Sequence, residues 1–225
     1  MYTFCIPIKI FILEDNEGVK TIVILSSFSS GSTALAGFLE RCGAHTCPPH
    51  MITSDKRTPL SYENIFLKDA LEELFDTRDT ANQFEAKGCI TSFHEFFRNW
   101  YQNQLATCKG VGKKFIVIKN PLLTFTLPAV NPQLENPFYL ILKRPFDKIE
   151  NTRVRRNWAP LFGKTGAKII YQNIAKQTEE LNLTHVDVDF ETFCKNAKER
   201  LNTIKACQIE THPDKLRQAS DWLRT

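Results

Sequence analysis

Residues 21–33 read TIVILSSFSSGST and run directly into ALAGFLERCG at 34–43. The opening five residues are apolar and mostly β-branched, the pattern of a strand covered on both faces. Downstream, Leu35, Phe38 and Leu39 share one face of a helix predicted over Ser32–Cys42, and Gly43 supplies its stop. Between them lie Ser26, Ser27, Phe28, Ser29, Ser30 and Gly31. A turn of this composition between strand and helix suits a phosphate. Gly31 permits a tight turn or close backbone approach. The amides of Ser30, Gly31, Ser32 and Thr33 open the helix at its positive end, and the hydroxyls of Ser29, Ser30, Ser32 and Thr33 add donors. The same serines also read as a capping cluster for the next helix, and on these residues alone the two readings stand level. As a Walker A loop, GxxxxGK[ST], the stretch fits only at Gly31 and Thr33. Ser26 replaces the first glycine and Ser32 the lysine.

Working outward, further apolar runs at Ile8–Leu13, Phe115–Ile118, Phe138–Leu142 and His185–Phe190 read as strands. Helical spacing covers Tyr62–Phe75, Phe93–Cys108, Phe146–Trp158, Lys164–Leu181, Glu191–Ile204 and Pro213–Leu223, while Cys89–Ser92 reads as a short strand. Strands alternating with helices predict an α/β fold, three layers deep, with a mainly parallel central sheet flanked by helices. The whole chain, 1–225, reads as one domain, with an edge strand or hairpin at 6–25. Pro48, Pro49 and Pro59 make residues 43–60 the longest expected loop, and loops after strand ends are where such folds place ligands.

The bulk composition narrows the function classes. Apolar residues make up 42% and charged residues 24%, as in an ordinary globular protein, and the net charge of +4 is compatible with an anionic ligand. Lys and Arg are spread along the chain, which gives no footprint for DNA. The seven cysteines form no paired knuckles, and their odd number predicts free thiols in a reducing, cytoplasmic setting. No apolar run reaches the length of a membrane span. No tight metal-ligand motif such as HExxH occurs, and no metal is expected.

Four stretches, in order and spacing, resemble the sulfotransferases that use 3′-phosphoadenylyl sulfate. TIVILSSFSSGSTALAGFLERCG is similar to their 5′-phosphosulfate loop: Ser30, Gly31, Ser32 and Thr33 occupy its last four positions, and Ser29 falls where the family carries Lys or Arg. KFIVIKNP, at 114–121, resembles the second strand with its Lys-Asp/Asn-Pro end. FYLILKRPFDKIENTRVRR, at 138–156, resembles the 3′-phosphate element, with Lys143 at the family's Arg, Arg144 at its Asp/Asn, Pro145 at its Pro, Phe146 at its basic residue, Asp147 at its Asp and Asn151 at its Ser. HVDVDFETFCKNAKERLNTI, at 185–204, resembles the late strand and helix, with Phe190 and Glu191 at the Tyr and Glu. The likeness spans most of residues 21–207.

The resemblance implies a P-loop-like fold and transfer of a sulfuryl group from 3′-phosphoadenylyl sulfate to a hydroxyl or amine acceptor, leaving adenosine 3′,5′-bisphosphate. It implies a donor site formed by Ser29, Ser30, Gly31, Ser32, Thr33, Lys143, Arg144 and Asn151. Arg144 takes the place of Lys143 if the register slips. That chemistry needs a cation at the leaving phosphate and a base at the acceptor. Lys119, at a strand end, is the expected substitute for the missing loop cation, with Lys56 and Arg57 in the long loop as alternatives. His94 leads as general base, followed by His45 and His50, since an imidazole titrates near neutrality. Phe93, Phe96, Phe97, Trp100 and Tyr101 read as core more readily than as an acceptor pocket. Two other functions fit the same residues: a nucleotide- or anion-binding module without transfer chemistry, and a P-loop kinase. The acceptor class is open.

Overall fold

The β-branched run before the serine turn forms strand β1 (Lys20–Leu25), the inner strand to which the rest of the central sheet is attached. The structure is a computed structural model that describes residues 18–53, 58–76 and 84–223. In chain order, the other strands are β2 (His50–Ile52), β3 (Leu60–Asn64), β4 (Phe75–Asp76), β5 (Glu85–Ala86), β6 (Phe115–Lys119), β7 (Pro137–Lys143) and β8 (His185–Asp189). The helices are α1 (Ser32–Arg41), α2 (Ile65–Leu74), α3 (Ile90–Gly110), α4 (Leu127–Val130), α5 (Phe146–Arg155), α6 (Lys164–Glu180), α7 (Phe190–Lys195), α8 (Ala197–Ala206) and α9 (Pro213–Trp222).

The central sheet has the order β6-β1-β7-β8, and every neighbouring pair is parallel. His45 extends it past β6 through a parallel bridge to Ile116. Alternation along β1 divides the core. Val23 and Leu25 face α2, α3 and α6, meeting Leu71, Phe97 and Ile170. Ile22 and Ile24 face α1, α7 and α8, meeting Leu35, Phe38, Phe193 and Ile204. Both faces are covered, so the parallel strands read as continuous apolar runs. All four strands point their C-terminal ends the same way, which gathers the serine turn after β1, Lys119 at the end of β6 and Arg144 after β7 at one edge.

Several elements depart from the sequence reading. The helix expected over Tyr62–Phe75 begins at Ile65, because residues 60–64 pair antiparallel with β2 as β3. Asn64 marks the boundary: its Oδ1 accepts from the amides of Phe66 (3.1 Å) and Leu67 (3.0 Å) and from Trp100 Nε1 (3.0 Å), and its Nδ2 donates to the Cys47 carbonyl (3.0 Å). A side chain that satisfies two first-turn amides halts any helix arriving from upstream. The loop expected at 43–60 therefore contains β2 and the His45 bridge. Residues 90–92, expected in a short strand, open α3. The single helix expected over Glu191–Ile204 is two, broken at Asn196, whose extended backbone (φ −113°, ψ 115°) lets its side chain cap α8 through the Lys198 amide. The strand expected at Ile8–Leu13, most of the 6–25 hairpin, and the candidate cations Lys56 and Arg57 lie outside the described residues.

Asn64 makes four hydrogen bonds in a buried site, so Asn64→Ala should lose a cap and strand the Trp100 indole N–H. We expect a loss of about 3 kcal/mol, read as a lowered urea midpoint at unchanged slope.

Candidate functional site

The serine turn does not cap its helix: the N-terminal boundary of α1 is Gly31, which has no side chain to cap with, and among the described residues no side-chain cap is formed there. Ser29 (φ 59°) and Gly31 (φ 94°) are both left-handed, so the chain doubles back before the helix starts. Successive amides in such a turn converge on a concavity that favours an anion. Ser30 is fully buried, and among the described residues its hydroxyl and that of Ser26 have no hydrogen-bond partner. An orphaned buried hydroxyl costs on the order of 1–3 kcal/mol, which a bound oxyanion would relieve. The loop residues thus fit a phosphate.

Gly31 is required on two counts. Its φ disfavours a side chain, and a Cβ would stand 2.3 Å from Cε2 of Phe190. Phe190 opens α7, directly after β8, and its ring closes over the loop. The guanidinium of Arg144 lies over the same ring, 4.9 Å from its centroid. Arg144 Nη1 donates to the Ser29 carbonyl (3.0 Å) and to Thr152 Oγ1 (3.1 Å), and Nε donates to Glu191 Oε1 (3.2 Å). One arginine therefore joins the loop, α5 and α7.

Lys143, by contrast, is 56% exposed and paired with Asp187 at 2.6 Å. Asn151 is exposed on α5, whereas the adjacent Thr152 turns toward Arg144. Arg144 and Thr152 are separated by the same eight positions as Lys143 and Asn151, so shifting the register by one preserves the spacing. The structure thus brings Arg144 to the loop and holds Lys143 in a surface ion pair.

Ser29 supplies no charge: its hydroxyl donates to the Phe162 carbonyl at 3.0 Å. The cation bonded to the first turn of α1 is Lys119. Its side chain is 3% exposed, and Nζ donates to Glu63 Oε1 (2.6 Å), the Ser61 carbonyl (2.9 Å) and Thr33 Oγ1 (3.2 Å). All three ammonium donors are used, one of them on the first turn of α1. Glu63, on β3, is thereby joined through Lys119 to the first turn of α1, a residue the sequence did not single out. No local motif marks it, because the hairpin that carries it is placed by tertiary contacts.

The candidate histidines lie elsewhere. His45 is buried beside the sheet, with Nε2 3.1 Å from Gln104 Oε1, and burial lowers its pKa. It pairs with Ile116, three positions before Lys119 on β6, or about 10 Å along the strand. His94 is half-buried in the first turns of α3 and makes no hydrogen bond to the loop among the described residues. His50 bonds through Nε2 to the Thr46 carbonyl at 2.7 Å. The α3 aromatics Phe93, Phe97, Trp100 and Tyr101 are core. Among the described residues, no group of His, Cys, Asp and Glu could hold a metal, and no helix is long and apolar enough to cross a membrane.

Among solved structures, the chain is similar to the sulfotransferase domain of the Synechococcus PCC 7002 olefin synthase, with TM-score 0.53 and 17% identity over 91% of this chain and 78% of that one. It is also similar to sulfotransferase STF1 from Mycobacterium tuberculosis H37Rv, with TM-score 0.51 and 15% identity over 91% of this chain and 71% of that one. No protein-family model matches the sequence, and no curated protein matches it. The fold is a sulfotransferase-like one, with a parallel central sheet and the serine turn after its first strand.

Gly31→Ala should displace the loop or the Phe190 ring, costing about 3 kcal/mol by thermal or urea unfolding. Adding Phe190→Leu should recover at least 1 kcal/mol in a double-mutant cycle. Additive losses would mean that the strain lies in the backbone alone.

Proposed function

We propose that the chain transfers a sulfuryl group from 3′-phosphoadenylyl sulfate to a hydroxyl or amine acceptor. The observation that carries this reading is the buried Lys119 ammonium, 3.2 Å from Thr33 Oγ1 and 2.6 Å from Glu63, at a loop that lacks its own cation. When bound, the donor supplies an activated S–O–P linkage, from which the sulfuryl group passes to the acceptor.

In this reading the amides of Ser30, Gly31, Ser32 and Thr33 hold the 5′-phosphate, with the α1 dipole adding positive potential. Arg144 and Thr152 hold the 3′-phosphate, the arginine through its remaining donors and the threonine by turning to the phosphate the hydroxyl proton that it gives to the Lys148 carbonyl at 3.0 Å in the free protein. Lys119 places positive charge beside the first turn of α1, where the leaving phosphate gains negative charge. That charge acts through space, because the three ammonium hydrogens are engaged by Thr33, Ser61 and Glu63. Glu63 accepts the acceptor's proton as the new S–O or S–N bond forms. It replaces the histidines as base because it is bonded to Lys119, the cation on the first turn of α1, and none of the candidate histidines is.

The reading of the chain as an anion-binding module without transfer chemistry has one observation in its favour: every ammonium donor of Lys119 is already engaged. Turnover separates the two. We expect metal-independent binding of adenosine 3′,5′-bisphosphate in preference to ATP by calorimetry, and bisphosphate release from 3′-phosphoadenylyl sulfate with a panel of alcohol and amine acceptors. Glu63→Gln should lower kcat about 10²-fold or more while leaving bisphosphate affinity within about threefold. Bisphosphate binding without turnover on any acceptor would favour the binding module. No bisphosphate binding would remove the donor assignment.

A further inference from the structure

Both cations gathered at the loop are already matched by a carboxylate of the same chain, and the two pairs are built differently. Lys119 and Glu63 are enclosed, at 3% and 13% exposure, and the ammonium has no donor to spare. Arg144 and Glu191 open to solvent, at 18% and 32%. The guanidinium is fixed on three sides, by the Phe190 ring, the Ser29 carbonyl and the Thr152 hydroxyl. Glu191 is held by one 3.2 Å bond to Arg144 Nε and a 3.8 Å contact with exposed Lys195. Among the described residues, Arg144 Nη2 forms no hydrogen bond. An anion arriving at Arg144 therefore meets a cation that cannot follow it and a carboxylate that repels it.

We propose that Glu191 is a built-in competitor for the anionic group that Arg144 receives. It limits how tightly a phosphomonoester is retained there, and so sets affinity and release at that end of the ligand. This rests on the reading of Arg144 and Thr152 as the second phosphate-binding pair. The physical basis is differential: a like charge beside the guanidinium raises the free energy of the anion-bound state more than that of the free protein, where the two side chains attract. In the free protein the same carboxylate keeps a partly buried guanidinium paired.

The test is calorimetric titration of the full chain and of Glu191→Gln with adenosine 3′,5′-bisphosphate, adenosine 5′-monophosphate and inorganic pyrophosphate at one fixed low salt concentration. Glutamine keeps the shape and an acceptor oxygen for Arg144 Nε and removes the charge. We expect the variant to bind the bisphosphate about tenfold more tightly, with slower dissociation, and the 5′-monophosphate with little change. Glu191→Asp should stay within about threefold of the native chain. Unchanged or weaker bisphosphate binding by Glu191→Gln, with a lowered melting temperature, would overturn the proposal and leave Glu191 a structural partner of Arg144. An equal gain for bisphosphate and monophosphate would also overturn it, since the effect would then belong to the general field of the loop. If neither protein binds either nucleotide but Glu191→Gln gains pyrophosphate binding, the competitor role stands and the nucleotide reading falls. If no anion binds to either protein, both fall.

Discussion

A lysine ammonium 3% exposed has to be paired, and around Lys119 that requirement organises one end of the molecule. Its partners come from two other elements that are distant in sequence. Lys119 ends β6, Glu63 and the Ser61 carbonyl belong to β3, and Thr33 lies in the first turn of α1. Removing one member of such a cluster costs about 3–5 kcal/mol, because the charge left behind stays buried. The small β2–β3 hairpin is therefore tied to the phosphate-type loop through that cation, and Asn64 fixes where the hairpin ends and α2 begins. In this cluster the positive charge sits on the strand beside β1, while Ser29 within the turn is neutral.

A second set of contacts holds the other side of the loop. Phe190 rests on Gly31 and under the Arg144 guanidinium, so a residue directly after β8 constrains a turn directly after β1. The cation stack and the three hydrogen bonds of Arg144 connect β7, α5 and α7 around that turn. Parallel strands make this possible, since every strand of the central sheet delivers its following residues to the same edge. The loop is thereby held by packing on one side and by a buried ion pair on the other, with its own hydroxyls at Ser26 and Ser30 left without partners among the described residues.

Periodicity carried most of the framework. The runs at 21–25, 115–118 and 138–142 each fall within an observed parallel strand, because strands buried on both faces must be apolar throughout. Where periodicity misled, a single polar side chain was responsible. Asn64 and Asn196 each cap a helix in the middle of a stretch whose apolar spacing looks helical, and a cap is a local hydrogen bond that spacing does not register. The register after β7 was ambiguous for a related reason. Lys143 and Arg144 are adjacent cations with a polar residue eight positions beyond each, and only the strand's orientation decides which of them turns inward.

The sequence by itself determined the parallel α/β frame, the strand-turn-helix at 20–41 and the absence of a cation within that turn, because these depend on local pattern and residue identity. Tertiary structure decided that Lys119, one of three candidate cations, is bonded to Thr33, that Glu63 rather than a histidine stands beside it, and that Arg144 rather than Lys143 faces the loop with Glu191 as its counter-anion. Those outcomes join residues 33, 63, 119, 144 and 191 across four strand ends and a hairpin. Which charge meets which is settled by where the sheet's C-terminal edge brings them, and by the cost of leaving any of them buried and unpaired.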